Sequence, residues 1–133
     1  MNYDIIIIDN DDDEVFMAEM LAKRAKLKTS IMQYESREKA LAQLSKKNIS
    51  AKVIILDLDI PCDILPDEFV YKIKNVERLK STPIIIMSYH EEDDLPPEYR
   101  AAMPLVDGFV HKTQLFTDDQ KRWSDIIDDY LLK

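Results

Sequence analysis

Short, continuous apolar runs alternate along the chain with longer stretches in which apolar residues recur every three or four positions. Continuous runs are typical of strands buried on both faces of a parallel sheet, whereas the longer spacing is typical of helices with one face packed on that sheet. This alternation predicts an α/β fold with five strands and five helices. The predicted strands are Tyr3–Asp9, Thr29–Tyr34, Val53–Leu58, Pro83–Ser88 and Val106–His111.

The predicted helices begin at capping residues or prolines and end where the apolar spacing stops. The fourth helix is predicted to be short, because the prolines at 96 and 97 can only begin a helix and Pro104 must end it. The other predicted helices run from about Asp13 to Lys26, from the cap Ser36 to about Lys46, over Phe69 to Val76, and from the cap Thr117 through Trp123 to Leu131.

Composition narrows the class of protein. A length of 133 residues with 46% apolar content predicts one domain, 1–133, with a single core. No stretch approaches the roughly 18 apolar residues of a membrane span, and the lone Cys62 fits a reducing compartment, so we expect a cytoplasmic protein without a membrane anchor. The formal charge of −8 would repel a nucleic-acid backbone, so we expect no nucleic-acid partner.

Four of the predicted strands finish on groups that phosphate chemistry can use. Asp9 and Asn10 follow the first strand, Asp57 the third, Ser88 the fourth and Lys112 the fifth. The carboxyl ends of parallel strands meet at one edge of an open sheet, so we expect these groups to share a crevice. Clustered acids repel one another unless a cation lies among them, and Mg²⁺ prefers oxygen ligands. The sequence therefore predicts a Mg²⁺ site with side-chain ligands from the first and third strand ends and a backbone carbonyl from the loop after Asp57.

Asp57 follows the most continuously apolar strand and is expected at the centre of this edge. A carboxylate in that place can attack phosphorus and become an aspartyl phosphate. A magnesium ion, the ammonium of Lys112 and the hydroxyl of Ser88 would share the charge of the three phosphoryl oxygens. Asp12 and Asp13 are interpreted as helix-capping residues rather than metal ligands.

This order of residues, with Pro61 four positions after Asp57, resembles the receiver domain of bacterial two-component response regulators over nearly the whole chain. The resemblance implies a doubly wound parallel sheet in the order 2-1-3-4-5. It also implies phosphorylation of Asp57 by a histidine kinase, a phosphotransfer protein or a small phosphodonor. The chain would then be a signalling phosphoacceptor with only self-catalysed phosphoryl transfer and slow autodephosphorylation. It would act on an unknown downstream protein, and the resemblance leaves open whether it forms a homodimer.

The same resemblance assigns a role to individual residues. Ser88 and Phe109 would be the switch pair, and Ser88 and Lys112 would bind the phosphoryl group on Asp57. The implied metal ligands are Asp9, Asn10, Asp57 and the backbone carbonyl of Asp59.

Three residues depart from the family pattern. Asn10 replaces the usual second acid, Tyr89 stands where a small residue is usual, and Thr113 replaces a proline that commonly follows the lysine. Asn10 and Tyr89, together with the short fourth helix, leave open a second hypothesis, a degenerate receiver that binds proteins independently of phosphorylation. A third is a hydrolase of the haloacid-dehalogenase type, with Asp57 as nucleophile and Asp59 as general acid.

Overall fold

A computed structural model describes residues 1–24, 30–115 and 125–131 of the chain. In these residues the strands form one sheet in the order β2-β1-β3-β4-β5, and every neighbouring pair is parallel. This is the doubly wound, flavodoxin-like arrangement, so the predicted fold class and strand order are confirmed. The strands are β1 (Asn2–Ile8), β2 (Ile31–Tyr34), β3 (Ser50–Asp57), β4 (Ile84–Ser88) and β5 (Gly108–His111).

Helices follow the strands, as the apolar spacing predicts. The short fourth helix is confirmed, since it comprises only the four residues 97–100 and is followed by a 3₁₀ turn that contains Pro104. The predicted residues Lys26, Thr29, Thr117 and Trp123 lie outside the described part of the chain. The helices are α1 (Asp12–Arg24), α2 (Arg37–Lys46), α3 (Pro66–Lys74), α4 (Pro97–Arg100) and α5 (Lys112–Leu115), with 3₁₀ turns at Glu77–Leu79, Glu92–Asp94 and Met103–Leu105 and a π-helical segment at Ile127–Leu131.

The apolar strands divide the core into two layers, because successive side chains of a strand point to opposite faces of the sheet. In one layer, the side chains of Ile6, Ile54 and Ile86 pack on the face of the sheet that α2 and α3 cover. In the other layer, the side chains of Ile5 and Ile55 pack on the face that α1 covers. Each buried isoleucine stabilises the fold by about 1.5–3 kcal/mol relative to an exposed one. The sheet is therefore a firm platform for the loops at its carboxyl edge.

The start of α1 is fixed directly beside this edge. Asp11 caps the helix, because its Oδ1 accepts hydrogen bonds from the backbone N–H groups of Asp13, at 2.9 Å, and Glu14, at 3.3 Å. The amide of Gln33, on β2, donates to the backbone carbonyl of Asp9 and to the carboxylate of Asp12, both at 3.0 Å. The first turn of α1 is thus held against the ends of β1 and β2.

No helix among the described residues combines the length and the apolar composition that crossing a membrane requires.

Candidate functional site

The carboxyl ends of the strands bring four predicted site residues into one crevice. Asp9 follows β1, Asp57 ends β3, Ser88 ends β4, and Lys112 follows β5 as the first residue of α5. All four side chains are buried, although three of them are charged or ionisable. Buried polar groups of this kind are uncommon unless they bind one another or a ligand.

The ammonium of Lys112 is the centre of the crevice. Its Nζ lies 2.8 Å from Asp57 Oδ2, 3.0 Å from Glu14 Oε1 and 3.4 Å from Asp59 Oδ2. Burial alone would lower the pKa of Lys112, but the contacts with Asp57 and Glu14 raise it above the ordinary value. Burial raises the pKa of Asp57, and the hydrogen bond from Lys112 opposes part of that rise. The ammonium of Lys112 therefore forms ion pairs with three carboxylates.

A cluster of three carboxylates lies in the same crevice and is suited to a divalent cation. Oxygen atoms of Asp9, Glu14 and Asp57 lie within 4.8 Å of one another. Burial raises the pKa of Asp9 to about 8, and the charge of Asp57 adds to the rise. Asp9 Oδ1 accepts from the backbone N–H of Asp11 at 2.9 Å, but Oδ2 is buried and no donor in the described residues reaches it. An oxygen without a donor, beside two other acids, is an arrangement that a hard cation would satisfy.

Glu14 was not among the residues predicted for the site. It follows the cap Asp11 by three positions, and the first turn of α1 points it at Lys112. The sequence offered one signal for it: Glu14 lies in the first turn of a helix that directly follows the acidic end of the first strand. Asn10, which was predicted as a metal ligand, is exposed, and its ligation of a metal stays a prediction.

The side chain of Asp59 extends across the mouth of the crevice. Its Oδ1 accepts from the Ser88 hydroxyl at 2.7 Å, and its Oδ2 accepts from the backbone N–H of Tyr89 at 2.8 Å. Its own backbone N–H donates to Asp57 Oδ1 at 2.8 Å. The Ser88 oxygen also accepts from the backbone N–H of His90 at 3.0 Å. Ser88 is therefore held by Asp59 on one side and by the start of the following loop on the other.

Tyr89 covers part of the crevice with its ring. The ring centroid lies 4.9 Å from Lys112 Nζ, which is a cation–π distance, and the hydroxyl donates to Glu14 Oε2 at 3.3 Å. His111 approaches the ring edge-on, with ring centroids 6.3 Å apart. Tyr89 is nevertheless 55% exposed, so its outer face is in contact with solvent. Tyr89 belongs to neither layer of the core.

Phe109, the predicted aromatic switch residue, lies on β5 opposite Ile86 of β4. It is half-buried and packs against the core layer on the side of α2 and α3. Phe109 thus lies three positions before Lys112 in the chain, with its side chain in this core layer. Its role as a switch stays a prediction.

Comparison with solved structures gives matches across the whole chain. The phosphorylated cyanobacterial phytochrome response regulator RcpA has a TM-score of 0.75 at 18% identity, over 99% of this chain and 96% of that one. A signal receiver domain from Clostridium thermocellum has a TM-score of 0.75 at 21% identity, over 98% of both chains. The receiver domain of a sensor histidine kinase from Pseudomonas aeruginosa, solved with a magnesium ion coordinated in its active site cleft, has a TM-score of 0.71 at 10% identity, over 100% of both chains.

No family model and no curated protein sequence matches the chain. The structural matches establish that it has the fold of response regulator receiver domains, as the sequence resemblance implied. Because one fold can support several functions, the function has to be argued from the site itself.

Proposed function

We propose that residues 1–133 form a receiver domain that accepts a phosphoryl group on Asp57 in a Mg²⁺-dependent reaction. The observation that carries this proposal is the 2.8 Å contact between Asp57 Oδ2 and Lys112 Nζ, beside an acidic cluster with an unsatisfied buried oxygen on Asp9. A buried nucleophile, a cation for the transferred oxygens and a metal site are the components that phosphoryl transfer requires. Residues suited to these roles lie together at the carboxyl edge of the sheet.

The acidic cluster supports Mg²⁺ as the metal. Asp9, Glu14 and Asp57 would hold the ion, because their oxygens lie within 4.8 Å of one another and one of them lacks a donor. The predicted ligation by Asn10 and by the backbone carbonyl of Asp59 remains part of the proposal. When bound, the ion would supply positive charge to the phosphoryl oxygens in the transition state.

The chemical step is a direct displacement at phosphorus. A carboxylate oxygen of Asp57 forms the new bond to phosphorus, and the bond from phosphorus to the leaving group breaks, its electron pair departing with that group. Acetyl phosphate would release acetate, and a phosphohistidine donor would release the imidazole. The ammonium of Lys112 then passes from the carboxylate to a phosphoryl oxygen, and the Ser88 hydroxyl donates to another.

A histidine kinase or a phosphotransfer protein would be the natural phosphodonor, and the domain would act in the cytoplasm. Ser88 would follow the phosphoryl group inward and Phe109 would take up the vacated space, which changes the surface around β5. The signal would leave through contact with a downstream protein. This makes the chain a phosphoacceptor rather than an enzyme with a separate substrate.

The Asp57→Asn variant tests the proposal. We expect the wild-type protein to gain the mass of one phosphoryl group on incubation with acetyl phosphate and Mg²⁺, and the variant to gain none, because an amide is a poor nucleophile. Intact-mass spectrometry measures both. The exposed substitution Asp94→Asn, which removes the same charge, is the matched control and should be modified like the wild type. A folded wild-type protein that stays unmodified would contradict the proposal.

A second prediction concerns the cover that Tyr89 forms over Lys112. In the Tyr89→Ala variant the phosphodonor no longer has to displace a ring, so we expect the initial phosphorylation rate to rise about tenfold, equivalent to ~1.4 kcal/mol in the barrier. Tyr89→Phe keeps the ring and loses only the hydrogen bond to Glu14, so its rate should stay nearer to that of the wild type. Equal rates for all three proteins would show that the ring does not limit access.

The Tyr89 cover also favours a second candidate function, a module that binds proteins independently of phosphorylation. Such a module would stay unmodified even as the Tyr89→Ala variant. Beryllofluoride, which coordinates a carboxylate oxygen with the tetrahedral shape of a phosphoryl group, separates the two candidates. A switch predicts that the amide resonances of Ser88 and Phe109 shift on its addition, and a module predicts that they do not.

A further inference from the structure

The carboxylate of Asp59 contacts the groups that would bind a phosphoryl group on Asp57. It accepts from the Ser88 hydroxyl at 2.7 Å and lies 3.4 Å from Lys112 Nζ. It also accepts from the backbone N–H of Tyr89 at 2.8 Å. A hydroxyl, an ammonium and a backbone N–H are the donors that stabilise tetrahedral phosphoryl oxygens. An internal anion thus already uses the donors that the proposed reaction needs.

We propose that Asp59 is a built-in substitute for the phosphoryl group, which binds the Ser88 hydroxyl in the unmodified protein and has to be displaced before Asp57 can be phosphorylated. This inference rests on the proposed function, since it concerns the same crevice. Asp59 acts here as a positioning residue that competes with the incoming group. It does not take part in the bond changes at phosphorus.

The geometry makes this competition direct. The backbone N–H of Asp59 is fixed to Asp57 Oδ1 at 2.8 Å, so its side chain starts within two residues of the nucleophile. The incoming phosphoryl group carries negative charge, and it cannot occupy the same donors as a second carboxylate without strong repulsion. The side chain of Asp59 is 22% exposed, however, so rotation into solvent is open to it. Lys112, at 4% exposure, has no comparable freedom.

The same contacts predict the resting position of Ser88. Its hydroxyl donates to Asp59 Oδ1 at 2.7 Å, so it is not available to a phosphoryl oxygen while this hydrogen bond lasts. Phosphorylation would therefore exchange one anion for another at Ser88. Removal of the Asp59 carboxylate would release the serine and vacate the site.

The test compares the wild type with Asp59→Ala and Asp59→Asn, and uses Asp94→Asn as an exposed control with the same change in charge. The first measurement is the initial rate of phosphorylation by acetyl phosphate with Mg²⁺. The second is a beryllofluoride titration followed by the Tyr89 amide resonance in ¹⁵N NMR spectra. We expect Asp59→Ala to be phosphorylated about tenfold faster and to bind beryllofluoride about tenfold more tightly than the wild type, with the control within about twofold.

Asp59→Asn retains the shape of the side chain without its charge, and it keeps one of the two oxygens that accept from Ser88 and from the Tyr89 N–H. Its phosphorylation rate and beryllofluoride affinity should lie between those of the alanine variant and the wild type. If the alanine variant does not fold, Asp59→Asn takes its place in the test. A merely structural role for Asp59 predicts slower phosphorylation in both variants. Rates and affinities equal to or below those of the wild type would overturn the inference.

The two proposals can fail separately. If wild type and Asp59→Ala are phosphorylated at the same rate, Asp59 is not a competitor and the receiver function stands. If neither protein is phosphorylated, the receiver function fails. The beryllofluoride titration then still decides whether Asp59 occupies the crevice, because tighter binding by the alanine variant supports the competition and equal binding overturns it.

Discussion

Replacement of Lys112 by methionine is expected to lower the free energy of unfolding by about 3–5 kcal/mol, the cost of leaving buried charges without their partner. The ammonium lies within 3.4 Å of carboxylates from Asp57, Glu14 and Asp59, and its side chain is only 4% exposed. Methionine fills a similar volume, so loss of packing contributes little. Urea denaturation in the presence of EDTA measures the effect.

The control is Lys39→Met, because Lys39 pairs with Glu35 at 2.8 Å with its side chain 64% exposed. Exposed pairs of this kind contribute about 0–1 kcal/mol after solvent screening. Addition of Mg²⁺ should restore part of the stability lost by the Lys112→Met variant, since a bound cation would neutralise the same acids. Equal losses in the two variants, or a Lys112→Met protein as stable as the wild type, would contradict the interpretation of the crevice.

The second large effect is expected from Asp9→Asn. The folded, metal-free protein holds a proton on Asp9 up to a pKa of about 8, whereas the unfolded chain releases it near 3.8. Between these pH values the folded state binds more protons than the unfolded state, so the contribution of Asp9 to stability falls as the pH rises. An asparagine stays neutral throughout. At pH 8 the variant should therefore exceed the wild type in stability by an amount on the order of 3–5 kcal/mol.

Urea denaturation at several pH values with EDTA measures the difference in free energy of unfolding between the variant and the wild type. The difference should be small near pH 4 and grow towards pH 8, whereas Asp94→Asn should show no such trend. The same substitution should weaken Mg²⁺ binding at least about tenfold, because it replaces a proposed carboxylate ligand with a neutral amide. A stability difference independent of pH, with unchanged metal affinity, would show that Asp9 is not a buried acid of the metal site.

The fold could be predicted from the sequence because the strands are apolar without interruption. A run such as Ile5–Ile8 or Val53–Leu56 fits a strand buried on both faces, and several such strands separated by amphipathic segments are typical of a parallel sheet covered by helices. The prolines around α4 limited that helix for steric reasons that do not depend on tertiary structure. The polar residues after the strands could be assigned to one edge because strand direction is uniform in such a sheet.

The sequence could not show which atoms fill the crevice. Glu14 enters because of the rotational setting of α1 against the sheet, which depends on the cap at Asp11 and on packing rather than on spacing alone. The predicted ligation of a metal by Asn10 stays a prediction. The prediction for Asp59 concerned its backbone carbonyl. Its side chain was placed by hydrogen bonds to Ser88 and Tyr89, residues about thirty positions away.

The contact between Glu14 and Lys112 should form late in folding. The two residues are 98 positions apart in the chain, and Lys112 reaches the acids only once β5 has paired with β4. Contacts between distant residues form late because the intervening chain must first be ordered. A growing polypeptide that has not yet added β5 would carry its buried acids without their counter-ion. The crevice should therefore acquire its ammonium group only when the last strand of the sheet is in place.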